Sequence, residues 1–294
     1  MSDQVAFGAT GLLVSRLGFG SGSLGGDELS DHEADHFINQ VLDAGVNFID
    51  TARGYGKSEE RIGQFISHRR NDFVLSTKVG YGIEGTEDWT PEIIEKGVDR
   101  ALELMNTDVL DVVHLHSCPL DVLQNNGVAE ALAKVKEKGK VKVAAYSGEN
   151  DALGWAINSG LFGSVQTSVN VCDQLSLSTW LPLAQSKGLG VVAKRPVANA
   201  FWRFKDRPTG QYAEEYWLRA KAMGLDPGAE EWGEWALRFT AFAPGVCTSI
   251  VGTKSIDHIK DNIKAIEKGP LSESTVQAIR NAFAQLGGDW TGQT

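Results

Sequence analysis

Cysteine is scarce in this 294-residue chain: only Cys118, Cys172 and Cys247 occur, odd in number, scattered, and without Cys-x-x-Cys spacing. Neither a disulfide framework nor a zinc knuckle is signalled, and a reducing cytoplasm is the expected location. Long apolar runs are lacking too. None approaches the roughly 18 residues of a membrane span, and Met1-Ser2-Asp3-Gln4 places no basic region ahead of an apolar stretch. The chain therefore reads as neither exported nor membrane-spanning. Basic charge is in deficit, 28 Lys and Arg against 38 Asp and Glu, for a net charge of -10. Such a field repels a phosphate backbone on average, so nucleic acid is not an expected partner. Nor does any Pro-, Gly- or Ser-rich linker divide the chain, so residues 1–294 are expected to form one domain.

What is present is the composition of an ordinary folded protein, 42% hydrophobic and 22% charged, with ample material for a large core. Short runs rich in Val, Leu, Ile and Phe alternate eight times with longer amphipathic stretches. The runs are Leu17 to Gly20, Phe48 to Asp50, Phe73 to Lys78, Val109 to His116, Val141 to Ser147, Ser164 to Ser168, Gly190 to Lys194 and Thr248 to Val251. Helical patterns fall at Ser30 to Ala44, Lys57 to Ile66, Thr90 to Met105, Gln124 to Lys138, Asp151 to Asn158, Leu175 to Lys187, Gly228 to Phe242 and Ser255 to Glu267. Thr90 followed by Pro91 is a hydroxyl cap with a proline where a missing N–H costs nothing.

Eight βα units without a linker predict an α/β fold closed into a (β/α)8 TIM barrel. Residues Val5 to Val14 read as an N-terminal β-hairpin, turning at Ala9-Thr10-Gly11, that plugs the barrel's floor, and Ser272 to Leu286 as an extra C-terminal helix. The stretch Pro196 to Leu225 is too long for a plain loop and is expected to cover a site.

In a barrel, reactive groups sit where strands end. The second strand ends in Asp50, followed by Thr51-Ala52-Arg53-Gly54-Tyr55-Gly56; the third ends in Lys78 and the fourth in His116. Alone, each has an ordinary explanation: a helix cap, a loop aromatic, a solvated charge, a satisfied core histidine. Four at adjacent strand ends favour a shared site. Their chemistry is coherent. A phenol, with pKa near 10, is a poor acid at neutral pH, and an ammonium beside it stabilises the phenolate left after proton transfer. Tyr55 is the candidate acid, Lys78 its tuner, Asp50 the anchor of Lys78, and His116 a hydrogen-bond partner for the carbonyl oxygen that receives the proton. No nucleophile is needed; a hydride donor is.

The segments Asp50-Thr51-Ala52-Arg53-Gly54-Tyr55-Gly56-Lys57-Ser58-Glu59, Ser76-Thr77-Lys78, Asp111-Val112-Val113-His114-Leu115-His116 and Gly252-Thr253-Lys254-Ser255 resemble the motifs of the aldo-keto reductase superfamily, over nearly the whole chain. The resemblance implies a barrel that binds NADPH in extended form and reduces aldehydes or ketones without metal, with NADH a possible substitute. It also implies cofactor contacts. Ser147 and Gln166 match positions that hold the nicotinamide carboxamide, and Asn170 follows in the pattern. Gly148 stands where the family usually has Asn, and Lys194 where many members stack a Tyr on the nicotinamide, leaving the Lys194 stem or Arg195 to cover the ring.

Gly252 to Ser255 open the last barrel helix, whose free N–H groups and positive dipole end attract phosphate. By resemblance, Lys254 and Ser255 hold the 2'-phosphate, Asp261 and Asn262 lie near the adenine, and His258 replaces a common Arg. Asn199 to Arg203 resembles the segment folded over the pyrophosphate; alternatively Phe201 and Trp202 line the substrate pocket. Trp89, Ser117, Cys118, Phe201, Trp202 and Trp290 are its candidate walls, with simple rim packing the alternative for the tryptophans.

Rival readings follow from other features. Gly20-Ser21-Gly22-Ser23-Leu24-Gly25 matches a dinucleotide-binding Gly-x-Gly-x-x-Gly, yet Gly26-Asp27-Glu28-Leu29 delays the helix that such a fingerprint opens at once. It reads instead as a flexible first βα loop near the substrate or pyrophosphate. His114 and His116, two apart on a strand, face one way as in a metal-dependent hydrolase, but a third imidazole at the mouth is missing and no metal is expected. Two alternatives within the barrel remain: a sugar or alcohol dehydrogenase running in the oxidative direction, and a nucleotide-sensing regulatory subunit. Composition names neither the carbonyl substrate nor the oligomeric state.

Overall fold

The computed structural model describes residues 4–294. Eight parallel strands close into a barrel in the order β10-β3-β4-β5-β6-β7-β8-β9. They are β3 (Leu17–Gly20), β4 (Phe48–Asp50), β5 (Val74–Val79), β6 (Leu110–His116), β7 (Val141–Ser147), β8 (Ser164–Ser168), β9 (Gly190–Lys194) and β10 (Thr248–Val251), the eight expected. Before them β1 (Gln4–Ala6) pairs antiparallel with β2 (Leu13–Ser15), Val5 opposite Val14. That hairpin is the floor plug: Phe7 is fully buried and its ring lies 5.7 Å from that of Phe48, among Val14, Val74, Val112, Val143 and Val192. Apolar side chains thus fill most of the bottom of the barrel, with the hydroxyls of Ser164 and Thr248 buried at the starts of β8 and β10.

A second, larger core separates the strands from the helices. Parallel strands buried on both faces read as near-continuous apolar runs, and β5 is buried at every position. The helices start where the sequence offers caps. Ser30 and Glu33 form a reciprocal capping box at α1 (Asp31–Asp43), and α2 (Ser58–Ile66) follows the Tyr55 loop. The Thr90 side chain caps α3 (Pro91–Leu104).

Several expected helices are divided. Residues 120–137 form α4 (Leu120–Asn125) and α5 (Val128–Glu137), parted at Gly127, whose φ of 69° no helix continues through. After α6 (Asn150–Ser159), Pro182 breaks the next segment into α7 (Leu175–Thr179) and α8 (Leu181–Ser186), since proline takes the second position of a new helix without needing an N–H donor. The stretch 196–225 is no bare loop: it holds a 3-10 turn, Ala198–Arg203, and α9 (Glu214–Met223). α10 (Trp232–Ala241) begins later than expected because Asp226 Oδ1 accepts from Gly228 N in a turn. α11 (Ile256–Glu267) and the extra α12 (Glu273–Leu286) complete the chain, each capped by the serine before it. No described helix is long and apolar enough to cross a membrane.

Candidate active site

Residue parity brings the tetrad together. Asp50, Lys78 and His116 sit at or one residue before the ends of β4, β5 and β6, and the register sets Asp50 beside Ser76 and Lys78 beside His114. Lys78 Nζ donates to Asp50 Oδ2 at 2.6 Å and to the Thr51 carbonyl at 2.7 Å, while Ser76 Oγ donates to the other Asp50 oxygen at 2.8 Å. Both charged side chains are almost wholly buried. A buried ion pair is tolerable when its remaining donors and acceptors are satisfied, as here. Burial works against the Lys78 charge, but attraction to Asp50 and then Tyr55 outweighs it and raises the ammonium pKa above its ordinary value.

Tyr55 completes the group from the loop between β4 and α2. The Lys78 ammonium lies 5.0 Å from the centroid of its ring, and the ring meets His116 edge-on at 6.0 Å. The glycine run before α1 explains how that loop is held. A Cβ at Gly25 would come within 1.7 Å of the Tyr55 carbonyl oxygen, and Lys57 N donates to Gly25 O at 3.1 Å. Ser21 Oγ also donates to the Asp50 carbonyl at 2.9 Å. The run is therefore a packed backbone-on-backbone seat for Tyr55 rather than a flexible loop.

His116 is pushed down to about 3 by burial and then by the Lys78 charge, so it is neutral near pH 7. His114, one layer deeper, is fully buried and is pushed by burial to about 4. The two imidazoles do share a face, as their spacing indicated. A residue not foreseen joins them: Tyr81 Oη lies 2.7 Å from His116 Nδ1. Its signal was a tyrosine flanked by Gly80 and Gly82 just past the Lys78 strand.

Across the mouth, Ser147 and Gln166 are adjacent in register and Ser147 Oγ donates to Gln166 Oε1 at 2.9 Å. Gln166 Nε2 is buried without a hydrogen-bond partner among the described residues, and Asn170 is buried beside the Tyr216 hydroxyl. An orphaned amide donor is costly, and a carboxamide oxygen is the kind of acceptor Gln166 lacks, so these residues fit a nicotinamide. Lys194 Nζ instead pairs with Glu149 Oε1 at 3.2 Å, and burial lowers the lysine's pKa. Glu149, also unforeseen, is buried and accepts from Ser168 N at 2.8 Å and Thr167 Oγ1 at 2.5 Å. Arg195, at φ 55°, reaches Ser168 Oγ at 2.8 Å, Tyr212 Oη at 2.5 Å and the Gln293 carbonyl, so the C-terminal tail lies over this edge of the mouth.

The phosphate end is less concentrated. Ser255 Oγ caps α11 by accepting from His258 N at 3.5 Å, and Gly252 closes against the β3 backbone. Thr253 Oγ1 lies 3.0 Å from His258 Nδ1, and Lys254 forms an ion pair with Glu28 from the first loop. Asp261 turns to Lys264 at 2.9 Å, and Asn262 is half-buried beside it. Of the pocket candidates, Ser117 adopts a positive φ just past β6 and Trp89 one just before the cap of α3, and Cys118 is buried with its carbonyl accepting from Tyr146 Oη. Phe201 and Trp202 pack on Trp232 at 5.2 and 5.7 Å, and Trp290 packs between Phe283 and Arg219.

A closed parallel barrel bearing this mouth defines an oxidoreductase of the (β/α)8 class. The chain belongs to the aldo/keto reductase family, whose model matches residues 16–283. Among solved structures it is similar to the holo form of an aldo-keto reductase from Bacillus halodurans, with 28% identity, 96% of each chain covered and a TM-score of 0.82. Curated relatives include the L-galactose dehydrogenase of Arabidopsis thaliana, 26% identical over 89% of this chain and 87% of that protein. The NADH-specific methylglyoxal reductase of Escherichia coli is 23% identical over 96% and 99%.

Proposed function

We propose that this protein reduces an aldehyde or ketone to the alcohol, with NADPH as the preferred donor and Tyr55 as the proton donor. The observation that carries the reading is the buried ammonium of Lys78, locked to Asp50 at 2.6 Å and facing the Tyr55 ring, with a neutral imidazole on the other side. As Tyr55 gives its proton to the carbonyl oxygen, negative charge develops on its hydroxyl oxygen beside the buried, fixed positive charge of Lys78. His116 donates a second hydrogen bond to the same oxygen and thereby orients the carbonyl.

Ser147, Gln166 and Asn170 would hold the carboxamide, Lys194 and Arg195 would border the ring, and Gly252, Lys254, Ser255 and His258 would take the phosphate end, with Asp261 and Asn262 toward the adenine. Bound there, the reduced nicotinamide supplies the hydride. The relatives include both a dehydrogenase and a reductase by name, so oxidation of a sugar or alcohol at the same site is the second reading. It uses the same groups in reverse.

Tyr55→Phe is the test. Nucleotide affinity is expected to hold within about twofold while carbonyl turnover falls at least 100-fold, the usual worth of a positioned acid. A variant keeping most of its kcat overturns the mechanism. Tight nucleotide binding by the unaltered protein, with no turnover across a panel of carbonyls, sugars and alcohols, would favour the nucleotide-sensing subunit.

A further inference from the structure

We propose that Tyr81 is a positioning residue of the reaction, donating its hydroxyl proton to His116 Nδ1 and so fixing the imidazole proton on Nε2. The inference rests on the carbonyl-reducing reading for its catalytic consequence, but the hydrogen-bond geometry stands without it. Tyr81 Oη is 2.7 Å from Nδ1, and the two rings lie nearly parallel, 23° apart with centroids at 5.4 Å. A neutral imidazole carries one proton, and which nitrogen holds it is set by what the other nitrogen accepts.

The surroundings leave the tyrosine little freedom. Its ring is met edge-on by Trp89 at 5.9 Å, and Trp89 is itself pinned at φ 59° with its N–H on the Gly80 carbonyl at 2.8 Å. Below lies Gly54, where even a Cβ would stand 3.2 Å from Tyr81 Oη, so the hydroxyl rests against the segment that carries Tyr55. Burial and then the nearby Tyr55 raise the Tyr81 phenol pKa above its ordinary value, which keeps the phenol protonated and therefore a donor. His116, neutral at working pH, is the matching acceptor.

The direction matters because a carbonyl oxygen needs an N–H. Were Nδ1 to carry the proton and donate to Tyr81, the nitrogen left for the substrate would present a lone pair to the carbonyl lone pairs. With Tyr81 donating, Nε2–H is the group left for the carbonyl, on the side of the ring away from Tyr81. The chemistry also suits the relay of positions: Asp50 holds Lys78, and Tyr81 holds His116, so both partners of Tyr55 are oriented from behind.

The imidazole nitrogens can be read directly by long-range 1H–15N NMR on the 15N-labelled protein without nucleotide or substrate, His116 being assigned among the 6 histidines by its loss in His116→Gln. At pH 7 the expected pattern is a protonated Nε2 and a hydrogen-bonded, unprotonated Nδ1. Tyr81→Phe keeps the ring and removes only the donor; it should shift both 15N resonances toward a mixture of tautomers and lower kcat about tenfold, the worth of one hydrogen bond, with nucleotide affinity unchanged. A protonated Nδ1 in the unaltered protein overturns the proposal, as does a Tyr81→Phe variant with unchanged resonances or unchanged kcat. If that variant fails to fold, the spectrum of the unaltered protein decides alone. Because it is recorded without turnover, it stands apart from the Tyr55→Phe test of the carbonyl reading.

Discussion

On the proposed reading, single residues at the start of α11 would set which nucleotide this site prefers. Lys254 is the one lysine at the start of α11, and Glu28 pairs with it across the first loop, while His258 offers an imidazole already engaged with Thr253. Were a 2'-phosphate held there, both features would weaken the grip on it relative to a free lysine and a guanidinium fork. The pair is largely exposed, so its worth is under about 1 kcal/mol, and Glu28→Gln is expected to tighten NADPH by no more than about fivefold while leaving NADH unchanged. His258→Arg should widen the NADPH over NADH ratio of kcat/KM. Fluorescence titration and steady-state kinetics check both; a ratio unmoved by either change would place the 2'-phosphate elsewhere.

At the scale of elements, the turn before α1 and the loop before α2 act as one unit. Gly25 has an ordinary φ of -82°, so alanine meets no backbone strain there; the obstacle is the Tyr55 carbonyl 1.7 Å from the added carbon. Gly25→Ala must part the two backbones by more than an ångström. Displacements of that size at a reacting group cost about 100-fold, and a comparable loss of kcat is expected with nucleotide affinity largely kept. Wild-type kcat in a folded Gly25→Ala protein would show that the two loops do not position Tyr55.

For the whole molecule, buried titrating groups set how stability follows pH. His114 is pushed down to about 4 from an ordinary 6.5, so below pH 6.5 the unfolded chain takes a proton that the folded one refuses. The stability this gives is complete above pH 6.5 and is lost as the pH falls toward 4, at about 1.4 kcal/mol per pH unit. Asp173 runs the other way. Burial and then Glu149 raise its carboxyl to about 6, so its contribution is complete below 3.8 and lost as pH rises through 6. Denaturant unfolding of the wild type and His114→Gln between pH 4.5 and 6 isolates the histidine: the stability difference between them should change by about 1.4 kcal/mol per pH unit. A constant difference would show that folded His114 accepts its proton as readily as the unfolded chain.

The barrel and the tetrad were legible in the sequence because both depend on local, periodic information. Eight apolar runs with helical spacers leave few topologies, and strand parity alone puts Asp50, Lys78 and His116 on the inner face at one end. Helix starts at Ser30, Thr90 and Ser255 were legible for the same reason: a cap acts within three residues. What tertiary structure decided are contacts whose partners meet only after closure. Tyr81 reaches His116 across 35 residues, Glu149 takes Lys194 from the strand two places along, and the Gln293 carbonyl comes to Arg195 across 98. The glycine run looked flexible in one dimension and proved to be a seat, because its requirement comes from the Tyr55 backbone packed upon it. Periodicity assigns a side chain its face; only the closed barrel determines which neighbour occupies the remaining space and therefore which hydrogen bond it makes.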